Sequence, residues 1–254
     1  MGFLWEGFKQ AIHLLLHPTP ELLNLIRVTL EVALVSAAIA LVIGVPLGLW
    51  LGLGRSRGRQ VLLGLANAGL GLPPVVVGLV LALLMFRGSP LGSFHLIYTL
   101  KGVILAQIIL ALPLVVAITT ASVQAIDPGL LRQAQAFGAS RRMVGRFALR
   151  EARVGVFTAA IAAVGAGLSE VGAVVIVGGN VQGQTATLAT SLLTSVSAGA
   201  YAEAIAVGLI LLGLILILGA GLTFAQQREP RSRSVRVVTG GRHPFEPLQP
   251  VGRR

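Results

Sequence analysis

Five long apolar runs, separated by short polar breaks, dominate the chain: about Val28–Leu53, Val61–Phe86, Gly102–Val123, Val154–Gly178 and Ala200–Ala225. Each exceeds the roughly 20 apolar residues that carry a helix across bilayer hydrocarbon. Ahead of them, Leu4, Phe8, Ile12 and Leu15 recur on one helical side of Gly2–Leu16, with Trp5 beside them. That pattern predicts an interfacial helix, and the missing basic leader argues against a signal peptide. Residues 1–27 therefore read as an N-terminal interfacial segment, 28–226 as the membrane unit and 227–254 as a tail. The tail is rich in Arg, Pro and Gly, a composition expected to stay disordered. No internal repeat is present, so the chain holds one five-span unit.

Composition agrees with this reading. Hydrophobic residues make up 55% of the 254 and charged residues 11%, against about 25% charged in an ordinary soluble domain. The fold class is all-α membrane, and the lipid bilayer is the first partner.

The net charge of +11 does not point to nucleic acid, because of where the charges lie. Arg55, Arg57 and Arg59 form one cluster; Arg132, Arg141, Arg142, Arg146, Arg150 and Arg153 a second; Arg228, Arg231, Arg233, Arg236, Arg242, Arg253 and Arg254 a third. They hold 16 of the 20 basic residues, each beside apolar runs, which is the bias of cytoplasmic segments. The N-terminus is then outside and the C-terminus cytoplasmic, as an odd span count requires, with 1–27, 87–101 and 179–199 outside.

Several chemistries are excluded. With no cysteine there is no disulfide, thiol catalysis or thiolate metal site. Lys9 and Lys101 are the only lysines and neither follows the phosphate-loop pattern, so the chain is expected to hydrolyse no ATP. His13, His17, His95 and His243 make no metal-ligand cluster.

The break from Gln124 to Arg153 is the longest polar interruption between spans. Asp127 can N-cap a helix that starts at Pro128, Gly138 can end it in a left-handed turn, and Ser140 can cap a second helix. Two short helices about a glycine corner at a membrane surface read as a docking element. Within the spans, Pro46, Pro73, Pro74 and Pro113 can bend helices, and Gly44, Gly48 and Gly52 form a small-residue row for close packing. Asn67 and Gln107 are expected to bond between helices, and Tyr98 with Lys101 to anchor an interface.

The break resembles the cytoplasmic "EAA" loop of ABC-importer permeases. Arg132 and Gln133 stand at the Glu and first Ala positions, Ala134 at the second Ala, and Gly138 at the glycine; Arg150-Glu151 replaces the terminal Leu-Pro pair. Leu72-Pro73-Pro74-Val75-Val76-Val77-Gly78 and the stretch from Ser169-Glu170-Val171-Gly172-Ala173 to Gly178-Gly179-Asn180 are similar to the molybdate, tungstate and sulfate branch, the second most to tungstate-type permeases. The resemblance implies the type I ABC-importer permease fold with five spans. It implies a homodimer, two separate ABC ATPase subunits that use ATP and Mg, and an extracytoplasmic oxyanion-binding protein, with no cofactor on this chain. It also implies that Arg132, Gln133, Ala134, Gln135, Phe137, Gly138, Ala139, Ser140 and Arg141 form the ATPase-coupling loop.

A dianion cannot enter hydrocarbon unaided. The third and fourth spans carry no Lys or Arg, so Thr119, Thr120, Thr158, Ser169, Asn180, Thr185, Thr187 and Thr190 are the available neutral donors. Pro73, Pro74, Ser169, Glu170, Asn180 and Thr185 are the candidate path or gate. Glu170 is the one acid deep in a span, and a structural or gating role fits an anion path better than proton coupling. The alternatives are an ABC permease for molybdate, sulfate, phosphate or another small solute, and a proton-coupled carrier using Glu170. An intramembrane enzyme lacks a Ser-Lys or Asp-Asp pair in the spans.

Overall fold

The computed structural model describes residues 2–54 and 57–228. Arg55 and almost all of the expected tail, 227–254, lie outside the described residues. Eleven α-helices follow in order: α1 Gly2–Leu16, α2 Pro20–Leu53, α3 Arg57–Gly69, α4 Pro74–Met85, α5 Leu100–Gln124, α6 Pro128–Ala136, α7 Arg141–Glu151, α8 Arg153–Ser169, α9 Gly172–Gly178, α10 Leu188–Ser197 and α11 Tyr201–Arg228, with a 3-10 turn at Gly92–Phe94. The described residues contain no strand.

α2, α5 and α11 are each long and apolar enough to cross a membrane. α3 with α4, bent by 104°, and α7 with α8, bent by 64°, bring the number of spans to five if each pair is one span. The bend in the second run follows from its prolines. Pro73 takes an extended backbone and Pro74 opens α4, where its missing N–H costs nothing.

Three expected boundaries change. α2 begins at Pro20, well before Val28, because Thr19 accepts from the Leu22 N–H at 3.2 Å and Glu21 sits in the first turn. The fourth run is not one helix from Val154 to Gly178: α8 stops at Ser169, Glu170 is extended, and α9 restarts at Gly172. The segment 179–199, expected to lie outside the membrane between two spans, contains α10, started by a reciprocal cap between Thr187 and Thr190. Ala186, Leu188 and Ala189 of this segment are buried against Leu22, Leu25, Val207, Ile210 and Leu211.

The centre of the bundle is the seam between α2 and α5. A Cβ added at Gly44 would lie 2.7 Å from the Val115 side chain, one at Gly48 2.6 Å from Thr119, and one at Gly52 2.5 Å from Val123. The four-residue spacing puts all three glycines on one helix face, so the two backbones approach along three turns. The Thr120 hydroxyl donates to the Gly48 carbonyl at 3.2 Å across the seam. Ala33, Ala37 and Ala40 of α2, with Ala111 of α5 and Ala159 and Ala163 of α8, extend the small-residue core. Gly69 of α3 lies against the ring of Pro113 in α5, where an added Cβ would come within 2.6 Å of it. Large apolar side chains such as Val42, Leu216 and Ile217 point outward, as lipid-facing residues do.

Gly48→Val should destabilise the membrane unit by roughly 1–3 kcal/mol or more through overpacking. Its melting temperature in detergent should fall accordingly. Gly64→Ala in α3, where a Cβ meets nothing within 4 Å, should leave melting unchanged or raise it.

Candidate functional site

Two regions carry the candidate residues: the corner between α6 and α7, and the breaks that interrupt the second and fourth runs.

The corner has the local structure its residues dictate. Asp127 accepts from the Gly129 N–H at 2.7 Å, Pro128 takes the first helical position, and Ser140 accepts from the Met143 N–H at 3.4 Å. Gly138 has φ +83°, a left-handed conformation that suits glycine. The Gly138 N–H reaches the Gln135 carbonyl at 2.9 Å and the Ala139 N–H the Ala134 carbonyl at 3.1 Å, so these two carbonyls in the last turn of α6 are satisfied.

No residue of α6 is buried. The helix is fastened by Leu131, which packs on Val123, Ile126, Ala148 and Ala152. Arg132, Gln133, Gln135 and Phe137 are exposed and Ala134 is half-buried. A rigid helix, held on one side and bare on the other, is a handle at the end of α5. Beside it a cavity of about 220 Å³ is lined by Ser122, Ile126, Asp127, Leu130 and Glu151.

The breaks bring some of the candidate path residues together. Pro74 and Glu170 line one cavity of about 180 Å³, with Gly69, Leu72, Gln107 and Ala166. Glu170 Oε1 accepts from the Ala173 N–H at 3.2 Å, so the carboxylate caps the restart of the helix at α9. Gln107 is 3% exposed, and its Nε2 has no hydrogen-bond partner among the described residues. Neither Gln107 nor the exposed Asn67 makes the expected side-chain bond between helices. Irregular backbone and an unpaired amide around a cavity are what membrane proteins tolerate where a wet space opens.

The remaining candidates lie elsewhere. Ser169 is exposed and its hydroxyl donates to the Gly165 carbonyl at 2.9 Å. Thr185 is fully buried; its hydroxyl donates to the Gly178 carbonyl at 2.7 Å and accepts from the Val181 N–H at 2.9 Å. Thr190 and Thr187 bond each other, and Thr29 accepts from the Leu188 N–H at 2.9 Å. In this conformation these hydroxyls bond within the chain and shape the turn into α10. Asn180, at φ +50°, donates from Nδ2 to the Thr194 hydroxyl at 2.9 Å, while its Oδ1 is buried without a partner among the described residues. The sequence could not reveal that the Thr29 hydroxyl of α2 would accept from the Leu188 backbone N–H at the start of α10. A third cavity, about 440 Å³, lies at the N-terminal end of α2, with Glu21, Asn24, Gln182, Ser191 and Glu203 on its walls.

Residues 44–229 match the family described as binding-protein-dependent transport system inner membrane component. The chain belongs to this family. Among relatives of the permease, a probable anion ABC transporter permease protein of Haloferax volcanii is 41% identical over 63% of this chain and 71% of its own. A tungstate uptake system permease protein of Peptoclostridium acidaminophilum is 32% identical over 89% of this chain and 100% of its own. Among solved structures, a bacterial alginate ABC transporter in complex with a periplasmic protein shares the fold, with a TM-score of 0.69 and 20% identity over 89% of this chain and 86% of that one. The permease is a multi-pass membrane protein of the inner membrane, with the helical fold of ABC-importer permeases.

If Glu170 serves as a cap, Glu170→Gln should melt within a degree or two of wild type, because an amide oxygen still accepts from Ala173. Glu170→Ala should lose about 1 kcal/mol. Equal loss in both variants, read by thermal melting in detergent, would assign the role to the charge.

Proposed function

We propose that this permease is the membrane subunit of an ATP-driven importer for a tetrahedral oxyanion, tungstate before molybdate, sulfate or phosphate. The observation that carries the reading is the bare α6 handle in a chain that matches a tungstate uptake permease over nearly its whole length. Two copies of the permease would face each other, with the path between them. Two ABC ATPase subunits would use ATP and Mg on the cytoplasmic side, where the arginine clusters lie, and an extracytoplasmic binding protein would deliver the anion.

In this mechanism the ATPases close on ATP and push α6. Because α6 follows α5 directly and α5 is locked to α2 through the glycine seam, the push moves the long helices as one body. The broken spans at Pro73–Pro74 and at Glu170 are the places where the bundle can bend. Alternation between inward- and outward-open states then exposes a wet path in which neutral groups meet the dianion. Weak neutral contacts release it readily, so selectivity resides in the binding protein. The family's dependence on a binding protein supports that division of labour. A proton-coupled carrier using Glu170 is the competing reading.

The test is uptake of radiolabelled tungstate into proteoliposomes holding the permease with its ATPase and binding protein. Uptake should require ATP and the binding protein, survive collapse of the proton gradient, and be competed by molybdate more strongly than by phosphate. Uptake driven by a proton gradient without ATP would contradict the reading.

A further inference from the structure

α7 carries four arginines, Arg141, Arg142, Arg146 and Arg150, against one acid, Glu151. Val144 and Ala148 are its buried positions. At about 3.6 residues per turn, Arg142, Arg146 and Arg150 recur on the opposite side of the helix, and all three are exposed. None of them makes an ion pair among the described residues. Glu151 lines the cavity beside α6. The first turn holds Arg141 and Arg142 and no acid, so positive charge sits at the positive end of the helix. An anion supplied from outside offsets that cost.

The depth of α7 says where such an anion comes from. Ala148 belongs to one apolar cluster with Val123 near the end of α5, Ile126 just past it, and Leu49 and Leu53 at the end of α2. α7 therefore lies level with the point where two spans end, and a 64° bend separates it from α8, which continues into the membrane unit. Met143, 59% exposed, flanks the arginine row on one side together with Phe147, and Leu149 flanks it on the other, these two each 37% exposed. Arginines between apolar side chains, on a helix bent away from its span, match the boundary between headgroups and acyl chains. There the apolar groups enter the acyl region and the guanidinium groups stay level with phosphate.

We propose that α7 is a site for anionic phospholipid, in which Arg142, Arg146 and Arg150 hold headgroup phosphates of the adjoining leaflet through charge-assisted hydrogen bonds. The charge of the row selects the occupant: a zwitterionic headgroup brings a cation of its own, which three guanidinium groups repel, whereas an anionic one does not. The bound lipid holds the elbow between α7 and α8 at headgroup depth. The proposal goes beyond the importer reading and does not rest on it; it needs only that the chain spans the membrane.

The experiment titrates phosphatidylglycerol into the purified full-length permease in neutral detergent and counts retained lipid by native mass spectrometry, with phosphatidylcholine as the zwitterionic reference. Wild type should hold phosphatidylglycerol about fivefold or more tighter than phosphatidylcholine. Arg142→Gln, Arg146→Gln and Arg150→Gln should each weaken phosphatidylglycerol binding about fivefold, and the triple variant should fall to the phosphatidylcholine level. Arg146→Lys, which keeps the charge, should stay within about twofold of wild type. Arg87→Gln removes the same charge from an exposed site between the second and third runs and should bind as wild type does. Equal affinity of wild type for the two lipids, or a triple variant that binds phosphatidylglycerol undiminished, would overturn the proposal. A triple variant that keeps phosphatidylglycerol but loses its cognate ATPase would assign the row to a protein partner and overturn it as well. Each of these outcomes leaves the importer reading standing.

Discussion

Everything in this molecule depends on how closely α2 and α5 approach. In lipid no hydrophobic force drives helices together, so association rests on packing and on bonds between helices. Gly44, Gly48 and Gly52 remove every side chain from one face of α2, and Val115, Thr119 and Val123 of α5 fill the space. The seam makes two long helices into one body, to which α8 adds its alanines. Such a body can transmit a displacement over its length, because close-packed interfaces shift as units and do not deform smoothly.

The seam also divides rigid parts from bendable ones. α6 hangs from the end of α5, fixed by Leu131 and by caps at Asp127 and Gly138. The breaks lie on the elements around the seam: the second run turns at Pro73–Pro74, and the fourth stops at Ser169 and restarts at Gly172. Between them lies the cavity that holds the unpaired Gln107 amide and Glu170. A handle at one end, a stiff rod and a hinged, polar-lined space make up the chain of force in the proposed alternating access.

The corner was readable from sequence because each of its signals is local. Asp127, Pro128, Gly138 and Ser140 each act on the backbone within a few residues, and all four do what their residue types predict. The small-residue row on α2 was equally plain, since its spacing matches one helix face. Long-range pairing was not legible. Thr29 of α2 accepts from the Leu188 N–H of α10 across the fold, a pairing that no local pattern announces. The fourth run looked continuous by hydropathy, because one extended residue at Glu170 scarcely changes an average over many apolar ones. α10 was missed because its threonines and serines lower its hydropathy, although the Thr187–Thr190 cap was available as a signal.

The most direct measurement exploits the absence of cysteine. Gln133→Cys gives a unique label site on the exposed side of α6, and two copies in the proposed homodimer would give one spin–spin distance. With the ATPase bound, trapping ATP and Mg should shift that distance distribution by several ångströms relative to the nucleotide-free complex. A distribution unchanged between the two states, in a complex that still hydrolyses ATP and imports tungstate, would contradict a handle on α6 that drives the spans.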